Sequence, residues 1–317
     1  MLLPDFGISY SQNSTPVLRG IRLAPTAVQG LIVAATELAL RNSFIYFVLF
    51  NDAFQSHVLN WLCNTESFEG THRRTLLVAT GDGKCKTIER LWGNDVKCVE
   101  MAIRTRQFIT DMDWGSKPYF DFMNLRTFLW LTLAKADINF VSIEADATWF
   151  RDPYQLFEAA FSSPKYDIYS PMNSYQQVGV SKACSPLLVK PSPAVVSALT
   201  EMLLGCEEKR FGNDMIALNA ICKSRYANVS CRGFEYEEFG DGAWFTLSDE
   251  YRAKRVTPYV LNNNYIIGND RKENRQVLFA IVNKAKIIQI LQKSYGFWFV
   301  LDNGVCNDTA LSNILNG

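Results

Sequence analysis

The chain has 317 residues, 48% hydrophobic and 20% charged, a globular balance with enough apolar side chains to bury a large core. Lys plus Arg and Asp plus Glu each number 32, so no whole-molecule field favours nucleic acid or an anionic membrane, and neither is expected as a partner. Eight cysteines (63, 85, 98, 184, 206, 222, 231 and 306) are too scattered for a Cys-x-x-Cys zinc site. Their even number, with Asn-x-Ser/Thr sequons at Asn13, Asn228 and Asn307, is compatible with an oxidising, secretory location. Reduced, buried thiols in a cytosolic protein are the alternative.

Residues 1–25 carry Pro4, Pro16 and Pro25 among small polar residues and are expected to be irregular. They show no charged segment followed by an apolar core, so no signal peptide is legible there. Thr26 is a candidate cap for a helix running through Leu40. Leu31 to Phe50 is the most apolar stretch, but Glu37, Arg41 and Asn42 interrupt it, which suits helix then strand rather than a membrane span. Phe44 to Phe50 reads as a central parallel strand, ended by Asn51 and Asp52, with a helix over Phe54 to Cys63. Thr75 to Thr80 is a second strand, closed by Gly81-Asp82-Gly83-Lys84. A phosphate loop there would need glycine where Val78 stands and Ser or Thr where Cys85 stands, so a tight turn is expected. Val96 to Met101 is a third strand. Asp111 to Gly115 resembles the start of a calcium loop, but Phe122 stands where the bidentate glutamate belongs, leaving a solvated turn. Phe120 to Ala134 has helical spacing. This alternation predicts an α/β fold with a mostly parallel sheet flanked by helices.

Phe140 to Ile143 reads as the end of a buried strand, followed at once by Glu144, Ala145 and Asp146, then Trp149-Phe150-Arg151-Asp152-Pro153. Side chains two apart on an extended chain share a side, so both carboxylates can face one cation at the sheet's carboxyl edge. Two solvated acids at a strand end are the plainer alternative. Asp167 to Ser170 is a short strand. Ala183 to Val189 gives a small-residue turn and a strand, and Ser192-Pro193 opens a helix reaching Cys206. Asn213 is the expected cap of a helix beginning Asp214-Met215. Val260 to Gly268 carries Asn262 and Asn264, Lys272 follows, and Ala280 to Ser294 reads as a closing helix.

Four of these segments, in this order, resemble the retaining nucleotide-diphospho-sugar transferases of the glycosyltransferase-A fold. That family includes plant cell-wall xylosyl- and arabinosyltransferases and an amoebal galactosyltransferase. They are the Glu144-Ala145-Asp146 region with its Trp-Phe-Arg-Asp-Pro tail, the Pro191-Ser192-Pro193 helix start, Asp214-Met215-x-x-Leu218-Asn219, and Asn262-x-Asn264-x-x-x-Gly268 with Lys272. The resemblance implies one glycosyltransferase-A-like domain over 26–317, with a nucleotide-binding half (26–153) and a mixed acceptor-side half (154–317). It implies transfer of a hexosyl or pentosyl group from a UDP-sugar to a glycan, glycoprotein or small-molecule hydroxyl. A divalent metal, most often Mn²⁺, would be held by Glu144, Asp146 and Asn262, the last standing where the family has histidine. Asn51 and Asp82 would meet the nucleoside, and Arg126 the diphosphate. Asp214 would lie beside the reacting carbon, and Asn264, Gly268 and Lys272 near the donor. Asn51 as a plain turn residue, Arg126 in a surface ion pair and Asp214 as a helix-dipole partner remain open beside those roles. Family members are usually Golgi proteins held by an N-terminal anchor, and none is legible here, as in a trimmed catalytic domain or a soluble relative. Glu for Asp at 144 and Asn262 for His weaken the expected metal site; with Met215 for Gln they motivate the alternative, a catalytically silent binder of nucleotide sugar or glycan.

Overall fold

The computed structural model describes residues 17–18, 21–101, 103, 108, 112, 115–172, 181–242, 244, 247–248, 250, 257–263 and 306. The chain enters through an antiparallel ribbon, β1 (Val17–Leu18) with β2 (Ile21–Arg22), inside the segment expected to be irregular. Leu18 and Ile21 are buried, which gives those four residues a reason to be ordered. Helix α1 (Pro25–Ala39) then starts one residue before the anticipated cap: Ala24 is the N-cap without a side-chain bond, and Pro25 supplies the first helical residue. Proline's fixed φ makes that start favourable and leaves Thr26 no capping role.

Seven strands form the main sheet, in the order β10-β8-β9-β6-β3-β4-β5. They are β3 (Ile45–Phe50), β4 (Thr75–Ala79), β5 (Lys97–Glu100), β6 (Phe140–Ser142), β8 (Ile168–Pro171), β9 (Leu187–Val189) and β10 (Cys231–Phe234). β3, β4, β5 and β6 are mutually parallel, and β9 alone runs against its neighbours β6 and β8. Parallel strands are covered on both faces, and β3 shows it: Ile45 and Phe47 enter one core, Tyr46, Val48 and Phe50 the other. Helices α1, α4 (Lys117–Lys135), α6 (Pro193–Glu207) and α7 (Asp214–Ser224) pack on the first face. Helices α2 (Gln55–Asn64), α3 (Lys84–Trp92) and α5 (Tyr154–Ser162) cover the second. This is a doubly wound α/β architecture.

A small mixed sheet caps the carboxyl edge, β11 (Phe239–Gly240) beside β12 (Val260–Leu261) beside β7 (Thr148–Trp149). It joins the chain just after Asp146 to the chain just before Asn262. Three disulfides, Cys63–Cys306, Cys85–Cys98 and Cys222–Cys231, use six of the eight cysteines, leaving Cys184 and Cys206 as thiols. The closing helix expected over 280–294 and most of the turn at 111–115 lie outside the described residues.

Candidate active site

Two of three helix starts are fixed by the residues expected to fix them, Ser192 and Asn213, while α4 begins three residues before the expected Phe120, at a cap not anticipated from sequence. Ser116 accepts a hydrogen bond from the Tyr119 amide (3.3 Å) to begin α4, Ser192 from Val195 (3.1 Å) to begin α6, and Asn213 from Ile216 (2.8 Å) to begin α7. The cap on α7 matters most, because the next residue is Asp214, 4% exposed. Its Oδ1 accepts from the Met215 amide at 2.9 Å, and its Oδ2 accepts from Arg126 Nη2 at 2.5 Å.

Arg126 projects from the middle of α4 and is itself buried, so the surface ion pair considered from sequence is replaced by an interior one. Its second nitrogen, Nη1, donates to Glu144 Oε1 at 2.6 Å. The guanidinium also lies 5.0 Å from the Trp130 ring. Burial opposes the charge, but Asp214 and Glu144 outweigh it and raise the Arg126 pKa well above its ordinary value. Glu144 sits where β6 runs out, its amide donating to Ser185 Oγ (3.0 Å) and its Oε2 accepting from Asn262 Nδ2 (3.0 Å). Four segments distant in sequence thus meet at one guanidinium and one carboxylate.

Asp146 lies in the turn after Glu144 and is 1% exposed, and Ala145 between them is also buried. Whether the set suits a hard divalent cation is decided by Asn262. Among the described residues its buried Oδ1 accepts no hydrogen bond, an amide oxygen left over beside the Glu144 carboxylate. Among the described residues, Glu144 and Asp214 are set against one guanidinium, and Asp146 stands two residues beyond Glu144. An all-oxygen set rich in carboxylates fits a hard cation. Among the described residues no group of three or more His, Cys, Asp or Glu holds a metal unaided, so the amide oxygen and the donor's phosphates would complete the set.

The strand tips beside this cluster are locked. Asn51 is buried at the end of β3, with Oδ1 accepting from the Phe54 amide at 3.1 Å. Asp52 faces Lys84 (3.3 Å) and lies against Gly81, where an added Cβ would come within 1.8 Å of the carboxylate. Gly83, at φ +75°, turns the chain into α3. Asp82 is exposed in that turn and stands apart from the Arg126 cluster's contacts. Asn264, Gly268 and Lys272 lie outside the described residues.

Sequence reasoning passed over two side chains in this cluster. Ser185 orients the Glu144 backbone. Tyr119 stands two helical turns before Arg126 on the same face of α4, its hydroxyl pKa raised by burial and by Asp214. The i to i+7 spacing of Tyr119 and Arg126 was the available signal. The Cys184 thiol is likewise pushed up by burial and by Asp214, and stays protonated.

A mostly parallel sheet with charged side chains gathered at its carboxyl edge places this cluster where doubly wound α/β proteins bind their ligands. Residues 70–276 match the nucleotide-diphospho-sugar transferase family, and the chain belongs to that family: it is a glycosyltransferase using a nucleotide-sugar donor. It is 22% identical to a UDP-D-xylose:L-fucose alpha-1,3-D-xylosyltransferase of Arabidopsis thaliana over 95% of this chain and 79% of that protein. It is also 22% identical to the beta-arabinofuranosyltransferase RAY1 of the same plant, over 76% of this chain and 48% of that protein. Among solved structures, the glycosyltransferase GlyE of Streptococcus pneumoniae superposes with a TM-score of 0.48 at 13% identity, over 86% of this chain and 63% of the other. Mouse xyloside xylosyltransferase 1 gives 0.43 at 10% identity, over 70% and 98%.

Proposed function

We propose that the chain moves a pentosyl or hexosyl group from a UDP-sugar to an acceptor hydroxyl with retained anomeric configuration, in the secretory lumen. The observation that carries this is the Arg126 bridge: Glu144 at the strand end and Asp214 at a helix start are held on one guanidinium, with Asn262 on the far side of Glu144. Asp214 is fixed by Arg126 and the Met215 amide, so its carboxylate is aimed before substrate arrives. Placed beside the anomeric carbon, it would offset the positive charge that grows there. Arg126 balances the carboxylates in the resting site and shares the charge of the departing diphosphate. In the transfer, the bond from the anomeric carbon to phosphate oxygen breaks and a bond to the acceptor oxygen forms on the same face. The acceptor proton passes to the leaving phosphate. Asp146, Asn262 and Glu144 would hold a divalent cation, which when bound supplies positive charge to the leaving group.

The test is UDP release from a panel of UDP-sugars with and without Mn²⁺. Turnover should require an acceptor and fall at least 100-fold in Asp146→Ala, and undiminished turnover in that variant would remove the metal role. A second reading rests on Glu144, whose two oxygens already accept from Arg126 and Asn262. A closed network of that kind suits a binder of nucleotide sugar without turnover. Calorimetry separates the two, since metal-enhanced UDP affinity belongs only to the transferase.

A further inference from the structure

We infer that Asn228 carries an N-linked glycan, attached before folding is complete and accommodated by the folded, disulfide-bonded protein. The sequon Asn228-Val229-Ser230 lies between the end of α7 and the start of β10, and each of its residues has a distinct environment. Val229 is fully buried in the core against the first sheet face. The Ser230 hydroxyl donates to Asp167 Oδ2 at 2.6 Å, and its amide donates to the same oxygen at 2.8 Å. Asn228 is exposed, and its side chain makes no hydrogen bond among the described residues. Its φ of +66° is a left-handed conformation that asparagine tolerates better than most residues. With the residues after it anchored inward, Asn228 is presented outward at a sharp turn, where a bulky, solvated glycan meets no packed surface.

Two further observations favour the site. Three disulfides mark a chain that folds in an oxidising compartment, where sequons are read. The position is also remote from the Arg126 cluster, because Asp214 opens α7 and Asn228 follows its far end, about 15 Å along the helix. A glycan there would leave the donor site open. It would stand at the start of β10, which has β8 on one side and no second neighbour among the described residues. Open strand edges invite pairing with other chains, and a glycan beside one opposes that.

The chemistry needs a lipid-diphosphate-linked oligosaccharide as co-substrate. The Asn228 amide nitrogen forms a bond to the sugar's anomeric carbon, the bond from that carbon to the diphosphate oxygen breaks, one amide proton is lost to a base of the transferring enzyme, and the lipid diphosphate leaves. The Ser230 hydroxyl that completes the sequon is committed to Asp167 in the fold, so the transfer precedes that contact.

The experiment is peptide mass spectrometry of the full chain secreted from a eukaryotic host, with and without peptide-N-glycosidase. The expected result is glycan on Asn228 in most molecules whose Cys222–Cys231 bond is formed. Asn228→Asp, which keeps a residue tolerant of the left-handed turn, should lose one glycan and retain its UDP affinity. A predominantly bare Asn228 in disulfide-bonded wild-type protein overturns the inference. The wild-type peptide decides the matter even where the variant folds poorly, and the result is independent of whether sugar transfer is ever observed.

Discussion

The Arg126 guanidinium does two jobs that lysine cannot combine. Its planar fork reaches Glu144 and Asp214 through separate nitrogens, at 2.6 and 2.5 Å, whereas an ammonium is a single compact charge. Arg126→Lys should therefore keep the site's charge balance but release one carboxylate, and Asp214, buried deeper than Glu144, retains the stronger claim. We expect turnover to fall by about 10²-fold through misplacement of the freed acid, with a small loss of thermal stability. Arg126→Ala leaves a buried carboxylate without its cation and should cost about 3 kcal/mol, the lower end for a buried pair because Glu144 is partly solvated. Steady-state kinetics and denaturant unfolding on the two variants separate aiming from stability. Equal losses of both in Arg126→Lys would argue for a purely structural bridge.

At the level of the elements, capping separates stability from function. Ser192 and Asn213 perform the same task at the starts of α6 and α7. Substituting either by alanine should cost about 1 kcal/mol in unfolding free energy. Only Asn213→Ala should also lower kcat, because only α7 begins with an acid of the cluster. The His72 ring, just ahead of β4, is tied back to the end of α2, with Nε2 placed 3.0 Å from the Leu62 carbonyl and 3.1 Å from Thr65 Oγ1. Burial lowers its pKa below 6.5, against the opposing pull of the Leu62 carbonyl and Asp95. A histidine held neutral in the fold but free to protonate when unfolded contributes stability that is complete above pH 6.5 and is lost as pH falls towards the depressed folded pKa. Wild type should thus lose stability between pH 7.5 and 5.5 by more than His72→Gln, read as the denaturant midpoint of each. Identical pH slopes would show that His72 ionises without cost. These elements were largely legible in the sequence, since β3, β4, α4, α6 and α7 rest on local signals: continuous apolar runs, helical spacing and Ser or Asn caps. β7, β11 and β12 were not. Each has two residues, and they exist only because distant segments pair, which no local window contains.

Across the whole molecule the same distinction applies to the site. The acids of 144 and 146, Arg126, Asp214 and Asn262 could each be singled out in sequence by their motifs. The pairing of Arg126 with Glu144 and Asp214, and of Glu144 with Asn262, could not, because it depends on α4, α7 and the small sheet converging on the end of β6. Disulfide connectivity was equally hidden, since the spacing of eight cysteines does not choose among pairings. Once known, the pairing makes a quantitative demand. Cys63–Cys306 closes a loop with a sequence separation of 243, against 13 for Cys85–Cys98 and 9 for Cys222–Cys231. If a cross-link acts by restricting the unfolded chain, the longest loop stabilises most, at roughly 5 kcal/mol against roughly 3 for the shortest, both upper values. The paired serine variants Cys63→Ser/Cys306→Ser and Cys222→Ser/Cys231→Ser should follow that order in thermal unfolding. The long-loop variant should also lose donor binding sooner on heating, because Cys63 belongs to α2, whose Asn64 side chain accepts from the Trp149 amide (2.7 Å) and donates to the Trp149 carbonyl (2.9 Å) in the small sheet. The reverse order would mean that local strain, not chain entropy, governs these cross-links, and that the small sheet beside Asp146 and Asn262 is held by its own packing rather than by the long-range bridge.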